Sequence, residues 1–92
     1  MKKVLLLKNV RDNEDLGIFS TLDTAKDELA RILRKDIIYI KNYYNKISEK
    51  EKQAIIDEIN EDIACIYRVH TIKDFNDEMI DNYEITEWEV DG

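Results

Sequence analysis

Apolar residues gather at the start of the chain, where Lys3 to Val10 is rich in Val and Leu and is bounded by the polar run Arg11-Asp12-Asn13-Glu14-Asp15. This is the pattern of a well-buried strand ending in a turn. A short second strand is expected from Leu16 to Ser20, with Gly17 fitting a bulge or turn exit where a side chain would be awkward. The period then lengthens. Thr21 is placed to N-cap a helix beginning at Leu22, and Asp23 lies in the first turn, where the helix dipole favours an acid. Leu22, Ala25, Leu29, Ile32, Leu33, Ile37, Ile40, Tyr44 and Ile47 recur at steps of mostly three and four, one apolar stripe. Unbroken to residue 46, that helix would span roughly 37 Å, more than a compact domain of this size needs. The pattern therefore predicts a bend or break near 36–41, and it leaves Ile37-Ile38-Tyr39-Ile40 open between helix and strand.

Ser48-Glu49-Lys50-Glu51 has the form of a capping box and predicts a second helix to about residue 69. Its apolar face carries Ile55, Ile56, Ile59, Ile63, Ile66, Tyr67 and His70. Thr71 to Asp74 can cap a short third turn through Met79. Tyr83 to Val90 alternates apolar and polar with a phase slip expected between Ile85 and Trp88, so that Trp88 and Val90 lie opposite Tyr83 and Ile85. The sum is an α+β fold: a small three-stranded antiparallel sheet in the order β-β-α-α-β, packed on one side by two helices that form an insertion before the last strand.

At 92 residues there is room for a single domain, 1–92. The opening apolar stretch is too short for a signal or membrane-spanning segment, and the lone Cys has no internal disulfide partner, so a cytoplasmic protein is expected. Charge changes the picture more. The formal net charge is −7, and it is segregated: residues 31–53 carry seven bases and three acids, whereas 54–92 carry two bases and twelve acids. Such a balance disfavours direct nucleic-acid binding through phosphates. The basic middle and the acidic C-terminal half can either pair with each other on folding or present two faces to partners.

The segments Gly17-Ile-Phe-Ser-Thr-Leu-Asp-Thr-Ala25 and Tyr83-Glu-Ile-Thr-Glu-Trp-Glu-Val-Asp91 resemble the two ends of a diffuse group of small uncharacterised proteins of phages and mobile elements. The resemblance covers about the first 30 and last 10 residues and leaves Ile37 to Met79 outside it. It implies a hairpin, a helix after the Ser-Thr pair, a final strand returning to the sheet and a phage-like origin; it transfers no catalytic residue.

Catalytic chemistry finds little support in the residues. His70 falls on an apolar stripe, as a half-buried residue does, and Cys65 has Glu61 and Asp62 one turn before it, which disfavours a thiolate. Asp12, Glu14, Gly17 and Asp23 match part of a calcium-loop register, but Leu16 occupies a ligand position and a strand precedes the loop. Asp57 with Glu61 and Glu58 with Asp62 read as a solvated acidic face. No cofactor and no metal site is expected, and the chain reads as a non-enzyme.

Two surfaces remain. Arg31, Arg34, Lys35, Lys41, Lys46, Lys50 and Lys52 interleave with Tyr39, Tyr43 and Tyr44, which suits base stacking or, more simply, tyrosines capping the core beside bases that offset the acidic half. Asp36 projects into an apolar stripe, so it pairs with a base or faces a partner. The acidic residues Asp57, Glu58, Glu61, Asp62, Asp74, Asp77, Glu78 and Asp81 are suited to imitate a phosphate backbone before a basic groove. The leading expectation is an acidic, phage-type binding module that inhibits a host or defence protein, such as a basic nucleic-acid enzyme. The alternatives are a small-ligand or nucleotide-binding domain using the Tyr-Lys segment, and a self-associating accessory protein. Self-association through residues 37–67, as a homodimer, is also expected from the density of Ile and Tyr there, and Asp36, Tyr39, Tyr43 and Tyr44 form the alternative surface for a partner or for a second copy.

Overall fold

The computed structural model describes residues 2–91. In chain order its elements are β1 (Lys2–Asn9), β2 (Glu14–Phe19), α1 (Leu22–Tyr43), α2 (Glu49–Arg68), α3 (Ile72–Glu78) and β3 (Tyr83–Val90). The sheet is antiparallel with strand order β2-β1-β3, so the most apolar strand sits in the centre. This is the expected α+β arrangement, with α3 as a small additional helix.

Each helix starts where a short hydroxyl side chain can accept from a free backbone donor. Thr21 accepts from Thr24 N–H, Ser48 from Glu51 N–H and Thr71 from Asp74 N–H. In the β1–β2 turn, Asn13 adopts φ 52°, a left-handed conformation that Asn tolerates better than most residues. Opposite Leu7 and Lys8 the register shifts, and Gly17 stands at that bulge with φ 155°. A Cβ there would approach the Phe19 ring to 2.9 Å, so glycine serves both the backbone and the ring lying over it.

One face of the sheet carries Leu5, Leu7 and Ile85 into a core completed by Ala25, Leu29 and Leu33 of α1, Cys65 and Ile66 of α2, Val69, and Phe75 and Met79 from the α3 region. Two polar devices tie the layers together. Lys26, buried, donates from Nζ to the Val69 carbonyl at 2.6 Å, and so caps the C-terminal end of α2. Asn76 of α3 donates to the Ile85 carbonyl at 2.9 Å and accepts from Ile85 N–H at 2.8 Å, pairing with the outer edge of β3 as another strand would.

Several expectations are corrected. α1 runs without a break through Ile37-Ile38-Tyr39-Ile40, because α2 packs along it and supports an apolar stripe that the sheet does not reach. Its buried residues all lie between Ala25 and Leu33, and the distal half forms a helical hairpin with the first half of α2 that projects past the sheet. The described residues accordingly extend 51 × 22 × 19 Å, with a radius of gyration of 14.7 Å against the roughly 12 Å of a compact chain of this length. β3 shows no phase slip: its pairing with β1 is continuous from Tyr83 to Val90, and Trp88 and Val90 lie opposite Ile85 through plain alternation. No helix among the described residues is long and apolar enough to cross a membrane.

Candidate functional site

Where the helical hairpin leaves the sheet, a cleft of about 340 Å³ opens between α1, α2 and the two chain segments that flank the central sheet. Leu33, Ile55 and Ile59 line its apolar part, and Asp36, Glu58 and Asp62 supply carboxylates; Arg11, Asn82 and Tyr83 complete it. Glu58 and Asp62 stand one turn apart on α2, on the row that leads to buried Cys65; Asp62 is half-buried at the cleft and Glu58 is exposed at its rim.

The cleft shifts Asp36 and Asp62 in the same direction. Loss of hydration raises the pKa of Asp36, and the same effect, reinforced by the charges of Glu58 and Glu61, raises that of Asp62. The Tyr83 hydroxyl is pushed up first by burial and then by the carboxylates of Asp36 and Asp62, with Arg11 opposing. The site thus concentrates negative charge in a partly dehydrated recess, an arrangement suited to receive a cationic group. Among the described residues, no three His, Cys, Asp or Glu side chains converge in a way that would hold a metal ion.

The eight acidic residues singled out from sequence fall into separate sets. Glu58 and Asp62 belong to the cleft, with Glu61 close enough to act on Asp62. Asp74, Asp77 and Glu78 surround a second recess together with Arg68 and Val69. The two sets are joined where the Cys65 thiol donates to Glu78 Oε2 at 3.3 Å. Asp57 accepts from Gln53 on its own helix, and Asp81 lies in the turn before β3, lining neither recess.

Asp36 parts company with the tyrosines. It lines the cleft and, among the described residues, pairs with no base. Tyr39 and Tyr43 do not cap the core: they are 56% and 70% exposed near the tip of the hairpin, with ring centroids 6.1 Å apart, and partly buried Tyr44 sits 6.5 Å from Tyr39. His70 is exposed and lies beyond the end of α2, not half-buried on its stripe. Cys65, conversely, is a core residue, and burial, followed by its bond to Glu78, pushes its thiol pKa up.

Folding does little to neutralise the segregated charge. Arg31 pairs with Glu28, Lys52 with Glu49 and Lys73 with Asp77, all within three or four residues of sequence. Among the described residues only Lys3–Glu87, at 3.5 Å, joins a base from the first half of the chain to the acidic C-terminal half. Arg34 instead lies 5.8 Å from the centre of the Tyr67 ring. Glu58, Glu61, Asp62, Asp74 and Asp81 have no ion-pair partner among the described residues.

Sequence reasoning missed Arg11, Asn82 and Tyr83 as members of the site. They come from a turn and a strand start remote in sequence from both helices, and local periodicity carries no signal of that convergence. Comparison of the chain with protein-family models, with curated proteins and with solved structures returned no match, so any functional reading rests on the chemistry of the surface itself.

Proposed function

We propose that this protein is a non-enzymatic binding module of phage type that engages a basic host or defence protein through the carboxylates of the cleft and of α2 and α3. One observation carries the reading: among the described residues the acidic C-terminal half stays almost wholly unpaired with the basic segments after folding, and one of its acids, Asp62, is held in a recess beside Glu58 and Asp36 where lost hydration raises its pKa. Like charges kept together oppose folding, and a partner that brings the opposite sign relieves that repulsion.

In this account Asp36, Glu58 and Asp62 receive an Arg or Lys side chain of the partner, while Glu61, Asp74, Asp77 and Glu78 extend the negative field that steers its approach. Inhibition follows from occupancy of a groove that otherwise binds nucleic acid. The buried, hydrogen-bonded thiol of Cys65 and the solvent-exposed imidazole of His70 supply no activated nucleophile to this surface.

The test is capture from bacterial lysate on the immobilised protein, followed by a salt gradient and mass spectrometry. The expected result is a basic nucleic-acid-binding protein released by moderate salt, since surface attraction is screened beyond about 8 Å at physiological ionic strength. Thermal stabilisation by a nucleotide in the absence of any captured protein would overturn the proposal in favour of a ligand-binding domain.

A further inference from the structure

The sheet has a second face, and among the described residues no element covers it. Val4 and Leu6 of β1, Ile18 of β2, and Trp88 and Val90 of β3 form one continuous apolar surface there. Ile18 is 68% and Trp88 56% exposed, so the patch is open. A soluble antiparallel sheet with one free face ordinarily places polar residues on it, and this alternation is apolar on both sides through the middle of the sheet.

We propose that this face pairs with the same face of a second copy of the chain across a two-fold axis, giving two stacked three-stranded sheets with the helices outside. Three observations select a second copy as the occupant. The first is charge: at one end of the face Lys2 stands beside Val90, and at the other Lys8 stands between Asp15 and Glu84. The face therefore ends in one positive charge at one side and a net single negative charge at the other. A two-fold stacking with strands antiparallel sets each positive end over the partner's negative end, and the contact is self-complementary.

The second is the indole of Trp88. Its N–H already donates to Thr86 Oγ1 at 2.8 Å on the same strand, so the ring can be covered without leaving a buried donor unpaired. The third is size. β1 and β3, eight residues long at ~3.4 Å per residue, lie beside the six-residue β2 at ~4.8 Å spacing, a face of roughly 27 × 10 Å with a shorter third strip of roughly 20 × 5 Å. Covering it, side-chain relief included, buries roughly 500 Å² per copy, about 1,000 Å² in total, the threshold for a specific interface and the size class of weak dimers.

Edge-to-edge association through β3 is a competing geometry, and the fold opposes it. Asn76 occupies the backbone groups of Ile85 on the outer edge of β3, and that strand carries Glu84, Glu87 and Glu89, which an antiparallel copy would oppose with like charges. The helical hairpin is the other competitor, but its Ile37, Ile40, Ile55, Ile56 and Ile59 are partly buried, while the outward residues Ile38, Tyr39 and Tyr43 lie along the free surface of α1. In this proposal self-association runs through the sheet face rather than through residues 37–67.

Trp88 is the only tryptophan of the chain, so its emission reports on this face directly. Sedimentation equilibrium and tryptophan fluorescence are measured from about 1 μM to about 1 mM, a range that spans weak dimers. The expected result is a doubling of mass and a blue shift of emission with a common midpoint. Ile18→Lys, on an exposed position of an edge strand, should keep the far-ultraviolet circular dichroism of the parent and move that midpoint at least tenfold higher. Val90→Lys on the opposite edge strand should do the same and stands in if Ile18→Lys unfolds. The double variant Tyr39→Ala/Tyr43→Ala should leave the midpoint unchanged. A monomer with constant emission at the highest concentration overturns the proposal. So does a dimer that survives both lysine variants, or a blue shift that occurs only on addition of lipid vesicles.

Discussion

Replacing Asp62 by Asn removes one charge from the cleft while keeping shape and helix propensity nearly constant. Asp62 lies one turn after Glu58 and directly after Glu61, and both raise its pKa on top of the hydration it loses in the cleft. An i,i+4 like-charge pair costs a helix about 0.2–0.5 kcal/mol, and the adjacent Glu61 and partial dehydration add a screened increment, so Asp62→Asn should stabilise the protein by about 0.5 kcal/mol at pH 7. For a chain of 92 residues that corresponds to a rise of roughly 2–4 °C in melting temperature. The sign depends on pH in a definite way. The folded-state pKa lies above the ordinary 3.8 of aspartate, so the folded protein binds the proton more readily than the unfolded chain. The penalty is absent below the unfolded value, grows as pH rises between the unfolded and the folded values, and is complete above the folded one. Urea unfolding at pH 7 and at pH 3 should therefore show the gain at the first and its disappearance at the second, with added salt reducing the gain at pH 7. A variant less stable than the parent at pH 7, or an equal gain at both pH values, would refute the reasoning.

Lys26→Met should cost about 1.5–3 kcal/mol in urea unfolding, the range for a hydrogen bond to a charged group, because the buried Val69 carbonyl loses its 2.6 Å donor; an unchanged midpoint would show that water replaces the ammonium. Asn76→Ala leaves both backbone groups of Ile85 without their side-chain partner and should lower stability by about 1–3 kcal/mol, with faster amide exchange at Ile85 as the local readout. Gly17→Ala should cost about 1–3 kcal/mol, since its φ of 155° suits glycine and its new methyl would meet the Phe19 ring; a thermal melt within experimental error of the parent would argue against a strained bulge.

The elements were legible where local chemistry decides them. Ser48 with Glu51 and Thr21 before Leu22 mark helix starts by supplying acceptors to free donors, and the structure uses both. A Val- and Leu-rich run ending in polar residues placed β1, and Gly17 marked the bulge where β2 pairs with it. The continuity of α1 was not legible, because a length argument for a compact domain does not apply to a hairpin that projects beyond its sheet. The core roles of Cys65 and Phe75 depend on how α3 packs on β3 and brings Glu78 to Cys65, a tertiary choice that neither helix records alone. The same limit held at the candidate site. The carboxylates of α2 could be read from the chain, while Arg11 and Tyr83, which face them in the cleft, are brought there by the sheet. Charge segregation was visible in sequence, but only the fold decided between internal pairing and exposure, and it favours exposure.

The central claim is that the acidic surface, and not the tyrosine-bearing tip, is what the partner meets. The direct measurement compares association and dissociation rates of the captured partner with three proteins: the parent, a variant carrying Glu58→Lys, Glu61→Lys and Asp62→Lys, and a variant carrying Tyr43→Ala and Tyr44→Ala. Circular dichroism serves as the control that each is folded. The account predicts that the charge-reversed protein loses affinity mainly through a slower association rate and loses the salt dependence of the parent, while the tyrosine variant binds as the parent does. Unchanged affinity and salt dependence in the folded charge-reversed protein, with binding lost in the tyrosine variant, would contradict it and place the site on the helical tip.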